Sequence, residues 1–326
     1  MPVKAPPFTL TAGMLTYVTE ITERVAGLSP EKKTHDPMLR RTNRIRSVQG
    51  SLAIEQNSLS LEQVTAILNG KRVLAPPKDI AEVKNAFSVY ERMEEYDPFS
   101  VDSLLSAHYE MTRGLIEEAG VFRSGPVGVV DGKGNVLHLG TLPRYVPEST
   151  ERLLSWVKES RLPMLIKSCV FHYEFELIHP FADGNGRMGR LWHTLLLSSW
   201  KPIFAWIPVE SVVRGRQDEY FAAINRSNAE GESTSFIEFM LSAILDALLE
   251  AEHSGRKTTG KQEENANRRA FVLGFLSEHG RVVNADLCGG LGISAATANR
   301  LLRQMTEEGI IERFRCGKTW AYRLMK

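Results

Sequence analysis

His179-Pro180-Phe181-Ala182-Asp183-Gly184-Asn185-Gly186-Arg187-Met188-Gly189-Arg190 is the stretch from which the rest of the chain is read. Proline cannot donate to a helical ladder, and it turns the residue before it away from helical angles, so His179 is expected at a helix exit with its imidazole displayed. Gly184 and Gly186 let the backbone turn sharply, with N–H groups converging on an anion. A helix opening near Arg187 would aim its first-turn N–H groups and positive dipole end at the same place. Arg187 and Arg190, three apart, share a helical face and offer two guanidinium forks for phosphate. Asp183 supplies a hard oxygen suited to Mg²⁺ bridging phosphates. Taken singly, each residue has a plain structural reading as loop, cap or solvated face. Together they make a phosphate cradle with a base beside it. A zinc site built from His172, Glu176 and His179 is the local rival, but the HExxH order is absent and Pro180 carries His179 off the helix line.

The bulk properties fit an ordinary globular protein of two or three domains: 326 residues, 43% hydrophobic and 24% charged. No apolar run is long enough to span a bilayer, and the N-terminus lacks a signal-peptide core. Cys169, Cys288 and Cys316 are scattered and form no CxxC pair, so neither a disulfide framework nor a zinc finger is indicated. A cytoplasmic protein without membrane contact is the expectation. The net charge of +1 hides an asymmetry: from Ala251 onward 13 Lys and Arg face 8 Asp and Glu, whereas the remainder has 27 against 31. The basic tail is a mild hint of nucleic-acid contact.

Helical periodicity dominates. Ser60 reads as a helix cap; further helices are expected from Asp79 towards Tyr96, from Asp102, over 149–159, over 163–178, after Gly186, and over 236–251. Residues 127–139 read as strand, turn, strand. Residues 252–267 contain no large apolar side chain and are the linker candidate, although their second half could extend a following helix. The division is therefore 1–78, a helical region; 79–251, the core; 252–267, the linker; and 268–326, a C-terminal domain.

Residues 179–190 match every defined position of HPFx(D/E)GNGRxxR, the motif of the Fic family, and residues 80–250 resemble that family more broadly. The fold implied is mainly α: a Fic-type helical bundle core, with the hairpin at 127–139 as its flap and 217–224 and 234–240 in its closing helices. The resemblance implies transfer of AMP from ATP to a Tyr, Ser or Thr hydroxyl of a protein, self-modification included. His179 would be the general base, a task suited to imidazole, and Phe181 the anchor of the loop in the core. Asp183 would hold Mg²⁺. Gly184, Asn185 and Gly186 would line the anion hole, Asn185 reaching the α-phosphate, while Arg187 and Arg190 would bind the β- and γ-phosphates. Family members also remove AMP, or move phosphate or phosphocholine, and these stay open as alternatives.

Ser51-Leu-Ala-Ile-Glu55-Gln56-Asn57 resembles the family's inhibitory motif, (S/T)xxxE(G/N), with Gln56 where the pattern has Gly or Asn. The resemblance implies that Glu55 pairs with Arg190 and competes with the γ-phosphate for its fork.

Beyond residue 268 the pattern reads as three helices and two strands, similar to a winged helix-turn-helix with Ser294–Met305 as recognition helix and Ser294 as its cap. Thr297, Asn299, Arg300 and Arg303 there suit base edges, and Lys318 suits phosphate. Two uses stay open: DNA contact, which would make the chain a regulator with a nucleotide-sensing core, or protein contact, including a homodimer.

Overall fold

The computed structural model describes residues 5–27, 37–130, 136–317 and 319–325; for 129, 130, 136–139 and 254–263 only the backbone is described. The chain forms two compact units, Met1–Ala251 and Glu252–Lys326. In the first, the helices are α1 (Ala12–Gly27), α2 (Pro37–Ile54), α3 (Leu61–Leu68), α4 (Pro77–Glu91) and α5 (Val101–Thr112), followed by the strands β1 (Gly128–Val130) and β2 (Val136–Leu139). Then come α6 (Val146–Glu159), α7 (Met164–Ile178), α8 (Asn185–Trp200), α9 (Val209–Gly215) and α10 (Gln217–Glu230).

Local chemistry sets the helix starts. Ser60 and Gln63 form a reciprocal capping box at α3, and Ser100 caps α5 by accepting from the Ser103 N–H. Pro77 opens α4, where its missing N–H costs nothing. Helix α7 is apolar nearly all round, and its position explains why: Val170, Phe171 and Phe175 are fully enclosed, so α7 is the central rod of the bundle. It packs against α8, which brings Trp192, Leu191 and Leu196 into the same core. Phe236 and Tyr220, from the last two helices of the unit, close it.

The expected strand pair is present. Strands β1 and β2 are antiparallel, with Gly128 opposite Leu139 and Val129 opposite His138; the turn at 131–135 lies outside the described residues. The linker expected at 252–267 has a helical backbone, inside a 46-residue helix, α11 (Thr234–His279). Missing apolar side chains argue against burial, not against helix, and Glu, Lys, Gln and Ala are good helix formers.

The second unit continues with α12 (Asn284–Leu291), α13 (Ala295–Glu307), β3 (Ile311–Cys316) and β4 (Thr319–Leu324), the strands forming an antiparallel pair. Its own core gathers Val272, Leu276, Leu287, Leu302, Met305 and Ile311. Ser294 caps α13 as expected, accepting from the Thr297 N–H.

Helix α2 runs close under α9 because Gly50 faces it: a Cβ at position 50 would stand 2.8 Å from both the carbonyl carbon and oxygen of Glu210. Backbone cannot yield as a side-chain tip can, so Gly50→Ala should lower unfolding stability by about 1–3 kcal/mol in denaturant titration. An unchanged midpoint would show that the two helices separate freely.

Candidate active site

The site is built at the exit of α7 and the entrance of α8. His179 closes α7 in the left-handed region, at φ 51° and ψ 63°, while its N–H still bonds to the Phe175 carbonyl at 2.9 Å. A non-glycine residue there is strained and must be held by its surroundings. The holders are on the loop that follows. Phe181 is fully buried, with its ring stacked on His108 at 3.6 Å between centroids. The Asn185 side chain clasps the Phe181 backbone from both sides: its Oδ1 accepts from the Phe181 N–H at 2.9 Å, and its Nδ2 donates to the Phe181 carbonyl at 2.8 Å. The amide expected to reach the α-phosphate is thus engaged within the loop.

Gly184, at φ 85°, gives α8 no side-chain cap, so the first-turn N–H groups point into the cradle without one. Asp183 is half exposed at its rim; its Oδ1 accepts from the Gly184 N–H at 2.6 Å and lies 3.3 Å from Arg187 Nη2. Both arginines are buried rather than on a solvated face.

Segment 51–57 reaches this cradle. Ser51, in α2, accepts from Arg190 Nε at its hydroxyl (3.0 Å) and from Nη2 at its carbonyl (3.0 Å). Glu55 lies in the turn just after α2, and its Oε1 accepts from Arg190 Nη2 at 2.7 Å. The same oxygen would stand only 2.2 Å from a Cβ at Gly186, so it projects over the glycine floor of the cradle. Burial alone would lower the pKa of the Arg190 guanidinium, but Glu55 leads the groups that outweigh this and raise it. Gln56 has φ 66°, one of two non-glycine residues with positive φ among those described; the other is His179. The Gly or Asn of the family pattern therefore has a physical basis, because the turn that aims the glutamate needs a left-handed residue.

Several contributors were not anticipated. Glu82 of α4 is buried, with Oε1 3.5 Å from Arg187 Nη1 and Oε2 accepting from Asn57 Nδ2 at 2.8 Å. In sequence it looks like one more charge on an amphipathic helix, and nothing local marks it. His108 accepts from the Gly120 N–H at Nδ1 (3.0 Å), which leaves Nε2–H to donate to the Asp183 carbonyl at 3.0 Å. Burial pushes its pKa down to about 4, so it is a neutral brace. Arg123 is buried against the His179 turn and donates from Nε to the His179 carbonyl at 2.6 Å.

His172 packs beneath the loop: it is fully buried, held neutral by burial and then by nearby His193 and Arg190, and lies 3.2 Å from the Tyr220 hydroxyl. Among the described residues there is no group of three or more His, Cys, Asp or Glu that could hold a metal. Glu176 is pushed up to about 8, first by burial, with Arg190 opposing and Glu55 reinforcing.

In the second unit, Asn299, Arg300 and Arg303 are exposed on α13 and Thr297 is half-buried. Asn299 Oδ1 accepts from Asn284 Nδ2 at 2.6 Å, and Arg303 pairs with Glu307 at 2.8 Å. Lys318 lies outside the described residues. On the strand pair, Arg313 and Arg315 stand over the Trp320 ring at 4.0 and 4.7 Å.

The Fic/DOC family profile matches residues 98–197, which include the whole cradle. A crystal structure of a Fic family protein from Desulfovibrio desulfuricans G20 is 41% identical, with a TM-score of 0.76, and the match covers 98% of each chain. The chain belongs to the Fic family. A winged helix-turn-helix DNA-binding profile matches residues 272–312. The protein adenylyltransferase fic-1 of Caenorhabditis elegans is 30% identical over 208 residues, 59% of this Fic chain and 38% of the relative. The adenylyltransferase Fic of Nematostella vectensis is 28% identical over 204 residues, 58% of this chain and 44% of the relative. This chain thus spans less than half the length of these curated relatives. Among the described residues no helix is long and apolar enough to cross a membrane.

Replacing Gln56 with Gly relieves a left-handed non-glycine residue, partly offset by the greater freedom of glycine in the unfolded chain. A gain of about 0.5–1 kcal/mol in thermal or denaturant stability is expected. A loss would mean that Gln56 makes a compensating contact.

Proposed function

We propose that this Fic protein transfers AMP from ATP to a hydroxyl side chain of a protein, itself included, and that Glu55 restrains it. The observation that carries the reading is the Glu55 carboxylate: it bonds Arg190 and overhangs Gly186, inside a cradle of helix-start amides and two buried arginines. A carboxylate there takes the guanidinium that a terminal phosphate needs and repels that phosphate. The adenylyltransferase names of the relatives support the same activity.

In the reaction, His179 removes the proton from the target hydroxyl as its oxygen attacks the α-phosphorus. The new P–O bond forms, the bond to the β-phosphate bridging oxygen breaks, and pyrophosphate leaves with its charge held by the arginines. Open N–H groups at the start of α8 face the charge that develops on the α-phosphate. Strands β1 and β2 form a two-stranded sheet with outer edges available to an added target strand. The site suits Mg²⁺: Asp183 is a half-exposed carboxylate beside the cradle, and this ion is commonly held by one or two carboxylates plus substrate phosphates and water. When bound, it would neutralise phosphate charge. Direct use of this cradle on a triphosphate favours transfer over the removal of AMP or the movement of another group.

With labelled ATP and Mg²⁺, Glu55→Gly should raise protein labelling roughly 10- to 100-fold over the unaltered chain. His179→Ala should remove about 10²–10⁴-fold of it in both backgrounds. Labelling that ignores Glu55 would refute the restraint, and transfer that persists without His179 would refute its role as base.

DNA binding by the second unit is a second reading, supported by the winged-helix match and by exposed Asn299 and Arg300 on α13. The full chain should shift duplex DNA at low salt, with affinity falling steeply as salt rises, and a combined Arg300→Ala, Arg303→Ala variant should bind more weakly. An absence of any shift at low salt would leave protein contact as the use of this unit.

A further inference from the structure

We propose that Arg123 is a positioning residue that locks the His179 turn and fastens the β1–β2 hairpin to it, so that a target held on the hairpin meets the imidazole. The proposal rests on the adenylyl-transfer reading above.

Three successive carbonyls, those of Ile178, His179 and Pro180, point at this one residue. Arg123 Nη2 donates to Ile178 at 3.3 Å and Nε to His179 at 2.6 Å, while its backbone N–H donates to Pro180 at 3.0 Å. Helix α7 terminates at this point, and its last carbonyls have no intrahelical partner; a cation is the favoured occupant of that end. The left-handed conformation of His179 turns its carbonyl out of the helix line, and Arg123 is what receives it.

The same guanidinium reaches the hairpin from both sides. Nη1 donates to the Gly125 carbonyl, ahead of β1, at 2.8 Å, and Nη2 to the Thr141 carbonyl, just past β2. Two backbone bonds finish the junction: Gly140 N–H to Val127 at 3.1 Å and Thr141 N–H to Ile178 at 3.3 Å. Arg123 is only 3% exposed, and the guanidinium spends its donors on main-chain carbonyls. A planar fork with five donors can serve carbonyls in divergent directions; a lysine ammonium cannot hold the same set. These bonds go to the turn and the hairpin, and none of them goes to the cradle of Arg187, Arg190 and Gly184–Gly186. Arg123 therefore acts on the nucleophile side of the reaction and not on nucleotide binding.

The test uses the full chain carrying Glu55→Gly, with Arg123→Lys added. At saturating ATP, transfer to protein should fall at least about tenfold while the KM for ATP stays close to the parent value. Amide exchange at Gly140 and Thr141 should quicken. Gly140→Ala probes the same junction while leaving Arg123 in the chain: a Cβ there would stand 3.0 Å from Arg123 Nη2 and 3.3 Å from the His179 Cβ. It should give the same split between transfer and ATP binding, and it decides the matter if Arg123→Lys does not fold. Unchanged transfer in the folded variants, or a parallel loss of ATP binding, would overturn the proposal. If the Glu55→Gly parent itself fails to label, the adenylyl-transfer reading falls, and the exchange rates alone still report whether Arg123 ties the hairpin to the turn.

Discussion

The buried Arg190 guanidinium is the interaction on which the rest of the site depends. An enclosed cation is costly unless its donors are matched, and the matching groups come from far away in sequence, from a helix and the turn that ends it: the Ser51 hydroxyl, the Ser51 carbonyl and the Glu55 carboxylate. Helix α2 must therefore lie against α8, and the close approach of Gly50 to Glu210 lets it do so. The two Ser51 bonds would remain if Glu55 withdrew, so the cation would not be stranded. Glu176 would also respond. Its pKa is raised by burial, opposed by Arg190 and reinforced by Glu55, so departure of Glu55 favours its ionised form beside the arginine.

The second constraint is the braced loop between α7 and α8. Asn185 closes it on the Phe181 backbone, Phe181 stacks on His108, and His108 returns to the Asp183 carbonyl. Each member holds the next through contacts made within the protein itself. Preorganisation of this kind suits a reaction whose catalysis is mainly placement and charge. Residues that look like ligands in the sequence include one, Asn185, whose side chain is structural.

Much of this was legible in the sequence because the motif is dense and contiguous. His179 before Pro180 announced a helix exit, Ser60 and Ser294 announced caps, and Ser51 with Glu55 announced a partner for Arg190. What stayed hidden acts across long separations. Glu82 reaches Arg187 over 105 positions, and Arg123 reaches His179 over 56, each from a stretch with no pattern that marks it. The polar segment 252–267, read as a linker, begins where the two compact units divide and has a helical backbone. Its composition reports solvent exposure, and an exposed helix has the same composition as a linker. Lys318 and the turn at 131–135 fall outside the described residues.

Gln56 acts on the proposed restraint through its left-handed backbone. A left-handed non-glycine residue costs roughly 1–2 kcal/mol, and that cost is carried only while the turn keeps its present shape. If the turn can relax when Glu55 leaves Arg190, the seated state is disfavoured by about 5- to 30-fold relative to a chain with glycine at this position. The residue beside Glu55 would then set the resting ratio of seated to released molecules, and a single side chain outside the cradle would tune how fully Glu55 occupies Arg190.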